Sequence, residues 1–255
     1  MTNPVIETLL NHRTVLLFDP NKAVPQEILD DIIKATQQAP TAISGQQYSI
    51  IVIREKEKRQ FIMEFAKGRG GFQQHITDSP VFLLFVIDFY KASLISKKEN
   101  IPLKITDSIE GILAGSVDVG IALGTAVAAA KSFGLGTVCI GAIRNHDLTA
   151  LISEFRLPKY TFPLVGLCIG YPTEEGKKIK IHPRLPLKTF AHQEYYNTEV
   201  FDDFDAVLNQ YNRQIADHGK KLGTASSWTE FVAQIYGNNF PIHLIQNFCN
   251  QHFSI

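Results

Sequence analysis

Apolar residues recur along this chain with two periods, one helical and one extended. Residues 2–12 begin with Thr2 or Asn3 as a cap and Pro4 where a missing N–H costs nothing. Ile6, Leu9 and Leu10 follow along one stripe, which predicts a helix. Over 24–38, Ile28, Leu29, Ile32, Ile33 and Thr36 share one face of a second amphipathic helix, ended by Pro40. Tyr48–Ile53 is a β-rich run closed by the charges at 54–59. Those charges fit the solvated start of a helix over 58–67 that Gly68, Gly70 and Gly71 break. Val81–Asp88 is apolar throughout, the pattern of a strand covered on both faces. Residues 91–107 are mixed and polar, a helix and loop near the surface.

Residues 111–130 carry one charge, and Gly111/Gly115 and Gly120/Gly124 both fit GxxxG. Length alone makes this a membrane-span candidate with a dimerisation face. Asp118 near its middle, a terminal run of alanines and the lack of an aromatic belt weigh against that. The segment is expected to be a buried helix of a soluble protein, its small residues admitting another helix. Strands are expected at 137–140 and 164–169, a helix at 146–155 and a charged loop at 172–186. Helices at 199–217, 228–236 and 241–252, with a mobile loop at 220–227, form the tail. Helices interleave with apolar strands, and the small-residue helix favours a homodimer.

The chain has 255 residues, with 25 Lys+Arg against 25 Asp+Glu, so no basic surplus points to nucleic acid or an anionic membrane. Its 45% hydrophobic and 20% charged content is that of a globular protein able to bury a core. Cys139, Cys168 and Cys249 are too scattered for a zinc site, and no metal is expected. Cys139 and Cys168 sit in apolar runs and are expected to be buried. Without a signal-peptide pattern, a reducing cytoplasmic location is expected.

Gly134–Gly141 invites a dinucleotide reading, but these glycines precede a strand, whereas the Rossmann fingerprint needs strand, turn, then helix. No nucleophile elbow is present, and His12, His75, His146 and His182 have no triad or metal spacing, so no side chain is assigned as catalytic. What stands out is a set of cations beside helix ends and glycines: Arg13, Arg144, His182 and Arg184. Such groups suit a phosphate-bearing ligand.

At these positions the chain resembles the FMN-dependent nitroreductase/flavin reductase family, in particular its oxygen-insensitive NADPH nitroreductases and NADPH:flavin oxidoreductases. Asn11-His12-Arg13-Thr14-Val15 is similar to the family's N-terminal HRS box, and Gly134–Asn145 to its GLGxxYIGGxRN segment. Leu157-Pro158 with Phe162–Pro172 resembles LPxxxxPLFGLxxGxP, and His182–Pro186 resembles KPRLP. The likeness runs from residue 5 to about 196.

The resemblance implies an α+β nitroreductase-like fold: a central, mainly antiparallel mixed sheet flanked by helices, in an intertwined homodimer joined through 111–130. It implies an FMN-binding core over 1–196 and a helical extension over 197–255 that covers the active site or the partner subunit. Bound FMN would take hydride from NADPH or NADH and pass it to nitroaromatics, quinones or flavins in ping-pong fashion. The alternative is a flavin-binding module with little turnover. Carried over by position, His12, Arg13 and Thr14 would hold the ribityl and phosphate. Thr41, Ser44 and Gln46 would reach the cofactor from the partner, and Gln73 would touch the flavin. Ile140, Gly141 and Ala142 would line the ring, with Arg144, His182 and Arg184 at the phosphate or pyrimidine side. Four positions depart from the pattern: Leu16 replaces an Arg, His182 a Lys, Cys139 a Tyr and Ala142 a Gly. Lys220 and Lys221 are the local substitutes for the Arg-rich loop that would meet the NADPH 2′-phosphate.

Overall fold

The computed structural model describes residues 3–67, 73–219, 222–237 and 243–254; Thr2, Gly68, Gly70, Gly71, Lys220 and Lys221 lie outside them. The chain divides into two compact units, 1–179 with 241–255, and 180–240. In the first, strands β1 (Tyr48–Ile53), β2 (Val81–Asp88), β3 (Gly136–Ile140) and β4 (Thr161–Gly170) form one sheet in the order β1-β2-β4-β3. Every strand pair is antiparallel, and the expected parallel element is reduced to a bridge between Thr14 and Thr137. The α+β class and the antiparallel-dominated sheet agree with the sequence.

β2 is buried at every position because it is an interior strand, paired with β1 on one side and β4 on the other. The register of β2 on β4 shifts between Phe85 and Val86, which brings Thr161, Phe162 and Pro163 into the ladder and makes β4 longer than expected. Helix α6 (Ile109–Ser132) lies on this sheet. A Cβ at Gly115 would sit 2.4 Å from the Ile87 side chain, and one at Gly111 would sit 2.5 Å from the Ile105 carbonyl. The first small-residue pair therefore admits the chain's own sheet and a 3₁₀ turn, where a second helix was expected. Gly120 and Gly124 meet nothing within 4 Å and remain an open face.

The helices α1 (Pro4–Leu10) and α2 (Gln26–Gln37) form where expected, trimmed by a residue or two at their ends, and α3 (Lys56–Phe65) begins and ends two residues earlier than expected. Asn3 caps α1, its Oδ1 accepting from the Val5 amide at 2.9 Å. The apolar stripe of α1 faces outward, with Val5, Ile6, Leu9 and Leu10 all exposed. α2 buries Leu29, Ile32 and Thr36 and packs against α6. The charge run at 54–59 is not wholly solvated. Arg59 is buried, its Nη1 donating to the Arg54 carbonyl at 2.7 Å and its Nη2 to the Thr77 carbonyl at 3.4 Å. The short helix α4 (His75–Asp78) was not foreseen, whereas the helix and loop expected over 91–107 are α5 (Tyr90–Glu99) and the segment that leads from it through a 3₁₀ turn (Ile105–Asp107) to α6. The helix expected at 146–155 is α7 (Thr149–Glu154), shorter at both ends, and a 3₁₀ turn, Gly141–Arg144, precedes it directly after β3. One further turn, α8 (Glu174–Lys177), lies in the 172–186 loop.

The second unit holds α9 (Phe204–His218) and α10 (Trp228–Gly237). Its start falls at 180, where the sequence suggested a boundary at 196/197. The segment before 187 belongs to it because the Tyr211 hydroxyl donates to the Pro183 carbonyl at 3.1 Å and the His182 and His218 rings stack at 4.5 Å. Residues 243–254 rejoin the first unit through α11 (His243–Asn250). There Phe248 stacks on Phe162 at 3.6 Å, and the Tyr160 amide donates to the Gln251 carbonyl at 2.8 Å.

Candidate functional site

Leaving α1, the chain runs extended beside β3. The Val15 amide donates to the Thr137 carbonyl at 3.0 Å, and Val15 and Phe18 are buried while Leu16 and Leu17 face outward. This approach requires glycine at 136, where a Cβ would stand 2.7 Å from the Val15 side chain. The result places Arg13 and Thr14 at the start of β3, next to the last turn of α6. The Lys131 ammonium on that turn is pushed below its usual range, first by burial and then by the charge of Arg13. No carboxylate forms an ion pair with Arg13 or Lys131 among the described residues. Two uncompensated cations that repel each other form a natural seat for an anion.

β3 ends at Ile140, which is buried, and the chain turns over Gly141–Arg144. The leading amides of such a turn have no acceptor inside it, so they can face an electron-rich ligand edge. Arg144 folds back beneath the turn. Its Nη1 donates to the Leu164 carbonyl of β4, and its Nη2 lies 3.6 Å from where a Gly141 Cβ would be. Burial lowers its pKa. This guanidinium is anchored beside the turn, with its charge unpaired by any carboxylate among the described residues.

The loop joining α2 to β1 is the most strained segment of the first unit. Ile43, Ser44 and Gln46 all take positive φ, at 51°, 55° and 50°. Such backbone costs roughly 1–3 kcal/mol per residue and persists only where surroundings over-determine it. Three bonds do so. The Gln46 amide donates to Thr41 Oγ1 at 3.1 Å, and the Gly45 amide to the Ala42 carbonyl at 2.8 Å. The third comes from α6: the Ala42 amide donates to Asp118 Oδ1 at 3.0 Å. Ile43 projects from the loop almost wholly exposed, at 98%.

The remaining expected residues are more dispersed. Gln73 donates through Nε2 to the Ala66 carbonyl at 3.2 Å. The His146 ring contacts the Lys67 carbonyl and lies edge-on to Phe65 at 6.1 Å. Burial lowers the pKa of His75, opposed by Asp78. In the second unit, Arg184 donates through Nη1 to the His182 carbonyl at 2.9 Å and the Pro183 carbonyl at 3.1 Å. Lys220 and Lys221 lie outside the described residues. Cys168 is fully buried, which pushes its thiol up to about 12. Cys139 is exposed, contrary to expectation, because β3 is an edge strand; enough protein surrounds the thiol that burial still raises it.

Within the first unit, the structure thus joins Arg13 to the start of β3 and Arg144 to Gly141. It does not bring the 41–46 loop to Arg13. The loop is tied to α6 at Asp118 and Arg13 lies near Lys131, thirteen residues apart on one straight helix, about 20 Å. Asp118 and Lys131 were not among the expected site residues. Asp118 was visible as the lone charge of the apolar run 111–130, and Lys131 as the cation that follows it.

The sequence pattern of the nitroreductase family matches residues 9–171, and that of the family's C-terminal domain matches 182–254. A relative from Bacillus subtilis (strain 168), an FMN reductase [NAD(P)H], is 38% identical, with 99% of each chain covered. The solved structure of the hypothetical oxidoreductase YcnD from Bacillus subtilis superposes with a TM-score of 0.90 at 39% identity, covering 100% of this chain and 99% of that one. The NADPH:FMN oxidoreductase from Vibrio harveyi complexed with NAD+ superposes at 0.85 with 27% identity, covering 99% of each. The chain belongs to the nitroreductase family.

Proposed function

We propose that this chain is an FMN-dependent oxidoreductase that uses NAD(P)H to reduce small conjugated acceptors, among them flavins, nitroaromatics and quinones. The observation that carries this reading is the pair Arg13 and Lys131, two cations without a carboxylate partner among the described residues, at the start of β3, with the backbone turn Gly141–Arg144 at the other end of the same strand. A phosphate fits the pair and an electron-rich ring edge fits the turn, so the residues present suit FMN. When bound, FMN supplies the hydride-accepting and hydride-donating chemistry.

The chain's own residues bind and orient. Arg13 and Lys131 hold the phosphate, with His12 and Thr14 on the adjoining ribityl. The amides of Gly141 and Ala142 would meet the electron-rich edge of the flavin, and Ile140, at the buried end of β3, would line the ring. Arg144, held against Leu164, keeps positive charge near that edge, where electron density rises on reduction. Gln73 touches the flavin. Positioning two reactants in succession on one face lowers the barrier by orientation, and no side-chain base is required.

Thr41, Ser44 and Gln46 serve the cofactor of a second copy, since their own chain separates them from Arg13 by the length noted above. The dimer this requires has a surface ready for it. Ile109, Leu113, Val117 and Ile121 form an exposed stripe at four-residue spacing on α6, beside the open Gly120 and Gly124, and α1 adds its own apolar face. α6 is long and apolar enough to cross a membrane, with a mean hydropathy of 1.8. A dimer interface accounts for the same surface. The unpaired thiols of Cys139, Cys168 and Cys249 suit a reducing, cytoplasmic setting.

Anaerobic stopped-flow mixing of FMN-loaded protein with NADPH and NADH tests the activity. Bleaching of the flavin band, restored by a nitroaromatic or quinone, is expected. Bound flavin that stays oxidised would leave a binding module instead. A monomer by sedimentation in detergent-free buffer would refute the shared site.

A further inference from the structure

We infer that Asp118 is a positioning residue for the cofactor site, holding the Thr41–Gln46 loop in the shape that presents its side chains. The inference rests on the reading above that this loop meets FMN. Asp118 is 1% exposed, the one charge between Glu110 and Lys131 at the ends of α6, and no Lys or Arg pairs with it among the described residues. Its Oδ1 accepts from the Ala42 amide, and its Oδ2, equally buried, has no hydrogen-bond partner. Packing does not call for such a group. Alanine fills the next inward position of the stripe, Ala122, and buried carboxylates lacking a counter-charge are unfavourable for folding. A local rule broken in this way marks a functional constraint.

The constraint is legible in the loop. Ala42 immediately precedes the left-handed residues Ile43 and Ser44, and Gln46 follows in the same region. Ala42 also supplies the carbonyl that the Gly45 amide closes upon. Fixing the Ala42 amide from α6 therefore fixes the first peptide of the turn, and the turn fixes where Ser44 and Gln46 point. Thr41 Oγ1 holds the other end through the Gln46 amide. The charge of Asp118 is also felt at Tyr48, at the start of β1, whose phenol is raised first by burial and second by that charge, while its hydroxyl donates to the Thr36 carbonyl at 2.8 Å.

The test uses the full-length protein with FMN as the probe, in four forms: wild type, Asp118→Asn, Asp118→Ala and Gln46→Ala. FMN dissociation constants are read from flavin fluorescence, and amide exchange at Ala42, Ser44 and Gln46 is read in the apo protein. A charge-assisted hydrogen bond replaced by a neutral one should raise Kd about fivefold in Asp118→Asn, and its loss should raise Kd tenfold or more, roughly, in Asp118→Ala. Exchange in the loop should quicken in the same order while the amides of β2 stay protected. Asp118→Asn, near-isosteric, decides the matter if Asp118→Ala does not fold. If Gln46→Ala weakens FMN but both Asp118 variants bind and exchange like wild type, the inference falls while the site reading stands. If Gln46→Ala leaves Kd unchanged, the loop is not at the cofactor, and both fall. Loss of protection in β2 as well as the loop would make Asp118 a general stability residue and overturn its positioning role.

Discussion

Removing one of the two facing cations should act with opposite sign on the empty and the loaded protein. Lys131→Met keeps the length and apolar stem of the side chain and deletes the ammonium. In the empty protein, Lys131 is depressed below its ordinary value of 10.5 by burial and by Arg13, so its charge opposes folding. Between its folded pKa and 10.5 the unfolded chain binds the extra proton, so wild-type stability rises with pH through that window and the penalty is gone above it. The variant should lack that rise and be no less stable than wild type at pH 7. With FMN bound the sign reverses. A phosphate charge about 5 Å from an ammonium interacts by about 1–3 kcal/mol for effective dielectrics of 80 to 20. Lys131 is only partly covered, so the lower end applies, about 1 kcal/mol, or roughly fivefold in Kd. Fluorescence titration at low and high salt measures this, and the variant's Kd should also vary less with salt. An unchanged Kd with unchanged salt dependence would place the phosphate elsewhere and remove the main support for the site.

Three further outcomes follow from the packing. Gly166→Ala would drive a Cβ to 2.0 Å from Phe82 Cζ in the center of the sheet, and thermal unfolding should show a loss of about 1–3 kcal/mol or more. Asp147, held at about 2 by the hydroxyl and amide of Thr149 and by Asn247, ties α7 to α11. Its contribution is present above pH 3.8 and lost as pH falls through about 2, so Asp147→Ala should flatten acid unfolding in that window and speed exchange in α11. Thiol titration should modify Cys249 readily and Cys139 slowly, with Cys168 silent until the protein unfolds; a reactive Cys168 in the native state would contradict its burial.

What the sequence made legible was whatever its period encodes locally. β1 and β2 begin and end where the apolar runs do, and β2, covered on both faces, shows its whole length as one unbroken run. β4 extends to Thr161 only because the bulge opposite Phe85 and Val86 admits Pro163 to the ladder, a tertiary event with no local mark. Arg59 looks like part of a solvated charge run, and its burial depends on the Thr77 carbonyl, eighteen residues on. Gly111 and Gly115 announce a close approach without naming the partner, which is the chain's own sheet. The site divides the same way. The cations beside β3 were conspicuous in the sequence, while the tie between Asp118 and Ala42 spans 76 positions and becomes visible only in the fold.

The return of residues 243–254 to the first unit bears on how the protein is made. Phe253, 1% exposed, lies against Phe89, and Phe248 lies against Phe162. During synthesis, sixty-one intervening residues, 180–240, must emerge before these rings arrive to cover their partners. At roughly 5–20 residues per second, the nascent first unit spends several seconds with that aromatic surface bare. Its vulnerability to aggregation and its need of chaperones are therefore set by elongation speed across 180–240, so synonymous codon changes there should alter soluble yield without altering one residue of the product.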